Sequence, residues 1–133
     1  MPTTPHPEVE EAPARRSNHP VAIARKVART VRAETHRLPG HSHHLYVVLC
    51  EGFGSDGQDV AFYVGETRYR PERRFQQHKD GIRASGVVRR RGVRLLPRLV
   101  QHLNPLSRRE AKRLERELAD RLRGAGLIVR GGH

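Results

Sequence analysis

Tyr63-Val64-Gly65-Glu66-Thr67, followed by Pro71-Glu72-Arg73-Arg74-Phe75-Gln76-Gln77-His78, is the stretch on which the reading of this chain turns. It reads as a strand that stops at a glycine, a short turn through Pro71, and a basic helix. Arg74 and His78 are four residues apart and share one helical face, with Phe75 in the same arc pointing toward a core. A tyrosine at a strand end, an arginine and a histidine would then meet at one edge of a small domain. The backbone of Gly65 leaves room there for a ligand. The residue types suit the handling of a phosphate.

Upstream, Leu45-Tyr46-Val47-Val48-Leu49-Cys50 is apolar on both faces and short, as expected of a buried central strand. Gly52, Gly54, Ser55, Asp56 and Gly57 form a turn-rich loop, and Val60 to Val64 returns to close a β-hairpin. Pairing Tyr46 opposite Tyr63 puts both rings on one face with Val48 and Ala61, whereas a one-residue slip would separate them. Downstream, Ala84 to Arg91 reads as a short helix. Val93 to Val100 reads as a third strand, at an edge because Pro97 cannot donate to a ladder. Asn104-Pro105 breaks the chain, and Ser107 to Glu110 is a capping box that opens a helix running to about Arg123. Leu127-Ile128-Val129 is a short terminal strand, and 131–133 is read as a loose tail in preference to a final ligand near the site.

The 133 residues suffice for one domain. Residues 1–17 hold four prolines, three glutamates and almost no large apolar side chains, which predicts disorder. Over 18–40, Ser17 or Asn18 caps a helix with Pro20 in its first turn. Val21, Ala24, Val27 and Val31 form its stripe, with Arg25, Lys26, Arg29 and Arg32 on the other sides. This unit either packs its stripe on the domain or lies as a basic arm on nucleic acid. Pro39-Gly40 ends it, and 41–133 is the main domain. His41, His43 and His44 read as a solvated loop entering a strand, with no second ligand set at metal-binding spacing. Cys50, the one cysteine, excludes an internal disulfide and reads as a small core residue in a reducing, cytoplasmic compartment.

The formal net charge is +12 and the pI about 11.4, so the natural partner is a polyanion. Nucleic acid is favoured over membrane, because no basic amphipathic helix carries bulky apolar anchors and the longest apolar run cannot span a bilayer. Between Arg68 and Arg98 stand eleven Lys or Arg against Glu72 and Asp80, an excess of nine directly after the Tyr63–Thr67 strand end. Phosphate contacts account for such a concentration.

In the last helix, steps of about 100° place Ala111, Leu114, Leu118 and Leu122 in one apolar stripe. Glu110, Glu117 and Asp120 fall away from it among the arginines. Glu115 does not: it lies in the arc bounded by Leu114, Leu118, Ala119 and Leu122. A buried carboxylate is costly unless paired or bound to a metal. It is either a structural ion pair or a ligand for a divalent cation.

Across about residues 44–130 these features resemble the GIY-YIG nuclease superfamily. Tyr63-Val64-Gly65-x-Thr67 is similar to its second signature triplet with the following threonine. Pro71-x-Arg73-Arg74-Phe75-x-Gln77-His78 resembles the next helix, especially in the structure-specific endonuclease branch. Ala111-x-x-Leu114-Glu115 resembles the segment carrying the metal-binding glutamate. Of the first triplet, His44-Leu45-Tyr46 keeps only the tyrosine, and the intervening hairpin is longer than usual.

The resemblance implies an α/β fold of the α+β type, a small antiparallel three-stranded sheet flanked by helices. It also implies a metal-dependent endonuclease that hydrolyses phosphodiester bonds, with DNA the expected partner before RNA and one Mg²⁺ or Mn²⁺ ion as cofactor. Glu115 would hold the metal and Arg74 would stabilise charge on the non-bridging oxygens. Tyr46 or Tyr63 would deprotonate water, and His78 would orient a tyrosine or contact phosphate. Neighbouring cations and the metal would have to favour the phenolate, because a free phenol has a pKa of about 10. Gly65, Thr67, Arg68, Arg70, Arg73, Lys79, Arg89 and Arg90 would line the path of the substrate. Two other readings stay open: a non-catalytic nucleic-acid-binding module on the same fold, and a small basic structural protein, which leaves an inward Glu115 unexplained.

Overall fold

Alternation in the two hairpin strands sorts their side chains to opposite faces of a sheet, and each face carries its own layer of helices. The computed structural model describes residues 19–34 and 38–133. The expected disorder of 1–17 and the cap at Ser17 or Asn18 lie outside the described residues. A first helix, α1, covers 19–28. Strands β1 (His44–Phe53) and β2 (Asp59–Thr67) form the hairpin. Helices α2 (Pro71–Lys79) and α3 (Gly86–Arg91) precede strand β3 (Gly92–Leu95). A 3-10 turn at Pro97–Leu99, helix α4 (Arg108–Gly124) and strand β4 (Ile128–Gly131) complete the chain.

The sheet has four strands in the order β3-β1-β2-β4. The expectation of three antiparallel strands is therefore corrected to a mixed sheet. β3 and β2 flank β1 antiparallel, while β4 pairs parallel to β2. The cause is α4: by crossing one face of the sheet it returns the chain to run in the direction of β2, as a helical crossover must. The expected strand from Val93 to Val100 is cut to four residues. Pro97 opens a 3-10 turn at that point, and β3 is indeed an edge strand. Central β1 and β2 carry apolar residues on both faces.

On one face Leu45, Val47, Leu49, Val60, Phe62 and Val64 pack against Val21, Ala24, Ala28 and Val31 from α1 and its end, and against Ala111, Leu114, Leu118 and Leu122 of α4. The α1 stripe thus packs on the domain, with Ala28 fully buried and Val27 only partly. Burying each of these larger side chains stabilises the fold by roughly 1.5–3 kcal/mol. Phe62→Ala would cost about 3–5 kcal/mol. The opposite face is thinner: Tyr46, Val48, Cys50, Ala61 and Val88 are buried, with Tyr63, Phe75, Val87 and Leu95 packed around them under α2 and α3. Cys50 is a buried free thiol, and burial pushes its pKa up to about 11.

Two clamps hold β1 in place. The Asn104 amide accepts the Leu45 N–H and donates to the Leu45 carbonyl, both at 2.8 Å. His43 exchanges backbone hydrogen bonds with Leu106, so the histidine loop is partly built into the sheet margin. Ser107 caps α4 by accepting the Glu110 N–H at 3.1 Å. Glu110, expected among the exposed arginines, is buried; its carboxylate accepts the Glu34 N–H at 2.6 Å and lies 3.6 Å from Arg113. The segment before β1 folds over the start of α4 and covers it, which helical periodicity alone cannot foresee.

Candidate active site

The register differs from the expected one by an even number of residues. Tyr46 pairs with Gly65 and Tyr63 with Val48, so the tyrosines are diagonal neighbours and not directly opposite. Parity is kept, and both rings stay on the α2/α3 face. Their centroids are 6.2 Å apart, and the His78 ring lies 5.9 Å from Tyr46 and 5.6 Å from Tyr63. Gly65 makes this possible. The Tyr46 ring lies across it, and any Cβ there would overlap the phenol end of that ring.

His78 is 1% exposed, although α2 is otherwise amphipathic and its neighbours are half in water. Burial, helped by the Arg74 charge, lowers its pKa to about 4, so the ring is neutral near pH 7. The Ser85 backbone N–H donates to Nδ1 at 2.9 Å. In a neutral ring the proton is then on Nε2, which must donate to the Tyr46 hydroxyl oxygen, 2.8 Å away. The Tyr46 proton is left to point elsewhere, and the Tyr63 oxygen is within its reach. The Ser85 and Tyr46 side chains near Tyr63 favour its ionised form. Burial nevertheless dominates at both phenols. It raises Tyr46 far above the usual phenol value, with Tyr63 adding to the rise, and it raises Tyr63. The chain's own cations do not offset it, so of the cations and metal expected to favour the phenolate, the metal is left to do so.

Arg74 is positioned by carbonyls. It donates to the Ile82 carbonyl at 3.1 Å, the Arg83 carbonyl at 2.8 Å and Gln77 Oε1 at 3.2 Å. Arg83 has φ 45°, a left-handed conformation that a non-glycine residue adopts at a cost of about 1–2 kcal/mol. Arg74, Tyr63 and His78 line one cleft of about 430 Å³ with Ser85, Arg130 and His133. Tyr46 lies behind Tyr63, only 3% exposed, and is not part of that wall.

Glu115 approaches from the α4 side. It is 8% exposed, and its carboxylate accepts the backbone N–H of Glu66. That N–H is available because β4 ends opposite Val64 and leaves Gly65 to Thr67 without a partner strand on that edge. Burial raises the Glu115 pKa to about 7, and the nearby Glu66 carboxylate raises it further than Lys112 lowers it. Lys112 lies 3.6 Å from Glu66. Glu115 is thus not locked to an arginine, and its charge is felt by both tyrosines. No group of three or more His, Cys, Asp or Glu poised to hold a metal occurs among the described residues. The carboxylate best suited to a cation is Glu115, with Glu66 beside it.

The other expected contacts divide. Thr67 is buried and its Oγ1 accepts the Tyr69 N–H at 3.0 Å; Arg68 and Arg73 stack on Tyr69. Arg70 caps α2. Lys79 is a tie, donating to the Gly92 carbonyl at 2.6 Å and the Arg89 carbonyl at 3.3 Å. Arg89 and Arg90 are exposed on α3, outside the Tyr63 cleft, and Arg90 lines a separate depression by the hairpin turn. None of the eleven cations between Arg68 and Arg98 lies within ion-pair distance of a carboxylate among the described residues.

Sequence reasoning missed Arg130 and Ser85, and set the final residues aside as a tail. Arg130 pairs in register with Tyr63, and since Val129 points into the larger core, alternation alone would have put Arg130 on the tyrosine face. The loose tail is corrected: Gly132 N–H donates to the Val64 carbonyl at 2.9 Å, and Gly131 and His133 line the cleft. Gly131 has φ 74° and lies against Tyr63, a place no side chain would fit. Comparison with known protein families, curated proteins and solved structures finds no match for this chain.

Proposed function

We propose that this protein is a metal-dependent endonuclease that hydrolyses phosphodiester bonds in DNA, on a fold of the GIY-YIG type. The observation that carries the reading is the convergence of two phenols, a neutral imidazole and a carbonyl-anchored guanidinium on one sheet face, with a buried, unneutralised carboxylate at the adjoining strand edge. A purely structural carboxylate in so basic a chain would be expected to hold an arginine, and Glu115 does not.

Glu115 suits a divalent cation. Burial, and then the Glu66 carboxylate, raise its pKa to about 7, a cost that a bound cation would relieve, and Mg²⁺ commonly takes one or two carboxylates, with waters and phosphate oxygens completing its shell. Glu115 would hold one Mg²⁺ or Mn²⁺, which when bound would supply Lewis-acid polarisation of the scissile phosphate and stabilisation of the leaving oxygen. Arg74, in the shared wall of the cleft, binds the non-bridging oxygens and stabilises their growing charge. Tyr63 is the phenol that faces the cleft; as a phenolate, which a bound cation would have to favour against the effect of burial, it would take the proton of the attacking water. Behind it the Ser85–His78–Tyr46 hydrogen bonds fix the Tyr46 ring against which Tyr63 packs. Water oxygen bonds to phosphorus, the bond to the departing sugar oxygen breaks, and that oxygen takes a proton from solvent. The cationic surface between Arg68 and Arg98 holds the flanking phosphates.

A plasmid-nicking assay with Mg²⁺ or Mn²⁺ against EDTA tests the proposal. Cleavage is expected with metal only, and Glu115→Gln and Arg74→Ala should abolish it while filter binding survives. Metal-independent binding without cleavage of linear, flapped or branched substrates would leave the non-catalytic binding module in its place. No helix among the described residues is long and apolar enough to cross a membrane.

A further inference from the structure

Next to the Tyr63 cleft lies a second one of about 530 Å³, and Arg74 forms part of both walls. The catalytic reading leaves most of its lining unused. Tyr69 stands just beyond β2, its backbone fixed by Thr67 Oγ1 and its hydroxyl accepting a hydrogen bond from Arg68 at 3.1 Å. The guanidinium of Arg73 lies 4.6 Å from the ring centroid and that of Arg68 lies 5.2 Å from it. Ile82, 53% exposed, forms part of the same lining on the loop that Arg74 anchors through the Ile82 and Arg83 carbonyls. Gln77 offers an amide, and no carboxylate lines the cleft.

An aromatic ring with guanidinium planes over it, themselves stacking surfaces for a base, an apolar side chain in the same lining, one amide and an all-positive rim match the chemistry of a nucleobase with its phosphate. Free apolar exposure at Ile82 has no evident structural return otherwise. We propose that this cleft is a stacking subsite for one unpaired nucleobase of the substrate, next to the phosphate bound by Arg74. The inference rests on the phosphodiester reading and adds to it a requirement on the base beside that phosphate. Pairing and stacking within a duplex would keep a base out of the cleft, so a nucleotide outside the helical stack is favoured there.

The test uses the full chain in EDTA, so that no strand is cut. Three otherwise identical DNA duplexes are compared by fluorescence anisotropy: one fully paired, one with a single-nucleotide 2-aminopurine bulge, and one with an abasic bulge. The 2-aminopurine bulge should bind about 10-fold tighter than the abasic one, the scale of one base–aromatic stack, and its emission should be quenched on binding. Tyr69→Ala should remove that ratio and the quenching, Tyr69→Phe should keep both, and Ile82→Ser should reduce them. An equal affinity for all three duplexes, or a ratio untouched by Tyr69→Ala, overturns the subsite while salt-sensitive binding still supports the phosphate reading. No binding to any duplex overturns both. Tyr69 makes no core contact, so melting temperatures of the variants should match the parent and exclude misfolding as a cause.

Discussion

Replacing Glu115 by glutamine should make the folded protein more stable at alkaline pH while ending its proposed chemistry. The folded-state pKa of about 7 stands above the ordinary value of 4.5, first through burial and then through Glu66. The unfolded chain loses this proton near pH 4.5, whereas the folded chain keeps it to about pH 7. Unfolding therefore releases a proton in that window, and the stability contributed by this group falls as pH rises from about 4.5 to about 7. At about 1.4 kcal/mol per unit, the full loss is about 3 kcal/mol. Glutamine keeps an oxygen for the Glu66 N–H and carries no charge. The difference between variant and parent should be near zero at pH 4.5 and approach this value at pH 8, a rise of roughly 10 °C in Tm for a domain of this size. Thermal melts of both proteins across pH 4.5–8 read it directly. Mg²⁺ at 100 times its Kd should then stabilise the parent by about 2.7 kcal/mol and leave the variant unchanged. A variant advantage that is the same at both pH values, or a variant that is less stable at pH 8, would refute the buried, charge-deficient carboxylate.

Three further outcomes follow from the same geometry. Gly65→Ala forces a methyl into the Tyr46 ring; it should cost about 1–3 kcal/mol in denaturant melts and lower nicking activity, and an unaffected Tm would show that the ring does not lie over Gly65. Arg74→Lys keeps the charge but cannot span the two carbonyls of the 81–85 loop. Hydrogen exchange at those amides should quicken as activity falls, and unchanged exchange would count against the anchoring role. His78, held neutral with a pKa near 4, contributes stability above about pH 6.5 that fades as pH falls toward 4. Its ¹⁵N spectrum should show the Nε2–H tautomer down to about pH 5, and a ring that titrates near 6.5 or carries its proton on Nδ1 would break the proposed hydrogen-bond order.

Much of the candidate site could be read from spacing. The pairing of Arg74 with His78, the inward lean of Glu115, the hairpin and the Ser107 cap are all consequences of neighbouring residues on a regular backbone. Spacing says nothing of what covers a face. The helical wheel sets Glu110 among the arginines and Glu115 toward the core, yet both are buried. Glu110 takes the Glu34 N–H and an arginine, while Glu115 takes the Glu66 N–H and is left with a second carboxylate. Lys79 looked like one more phosphate contact and is a strut between α2 and the β3 margin. The phenols, expected to be eased toward ionisation by nearby cations, are held protonated by burial, a property of packing density that no count of arginines reveals.

Local periodicity by itself determined the helices, the two-faced central strands and the parity that keeps Tyr46 and Tyr63 together, because those depend on backbone repeats that act over a few residues. Tertiary structure alone decided the parallel fourth strand, the two-residue offset between the tyrosines, the direction of the His78 proton and the arrival of Arg130 and His133 at the cleft. Each of these depends on which backbone edge is left unpaired when distant segments meet, and that is a property of the closed sheet.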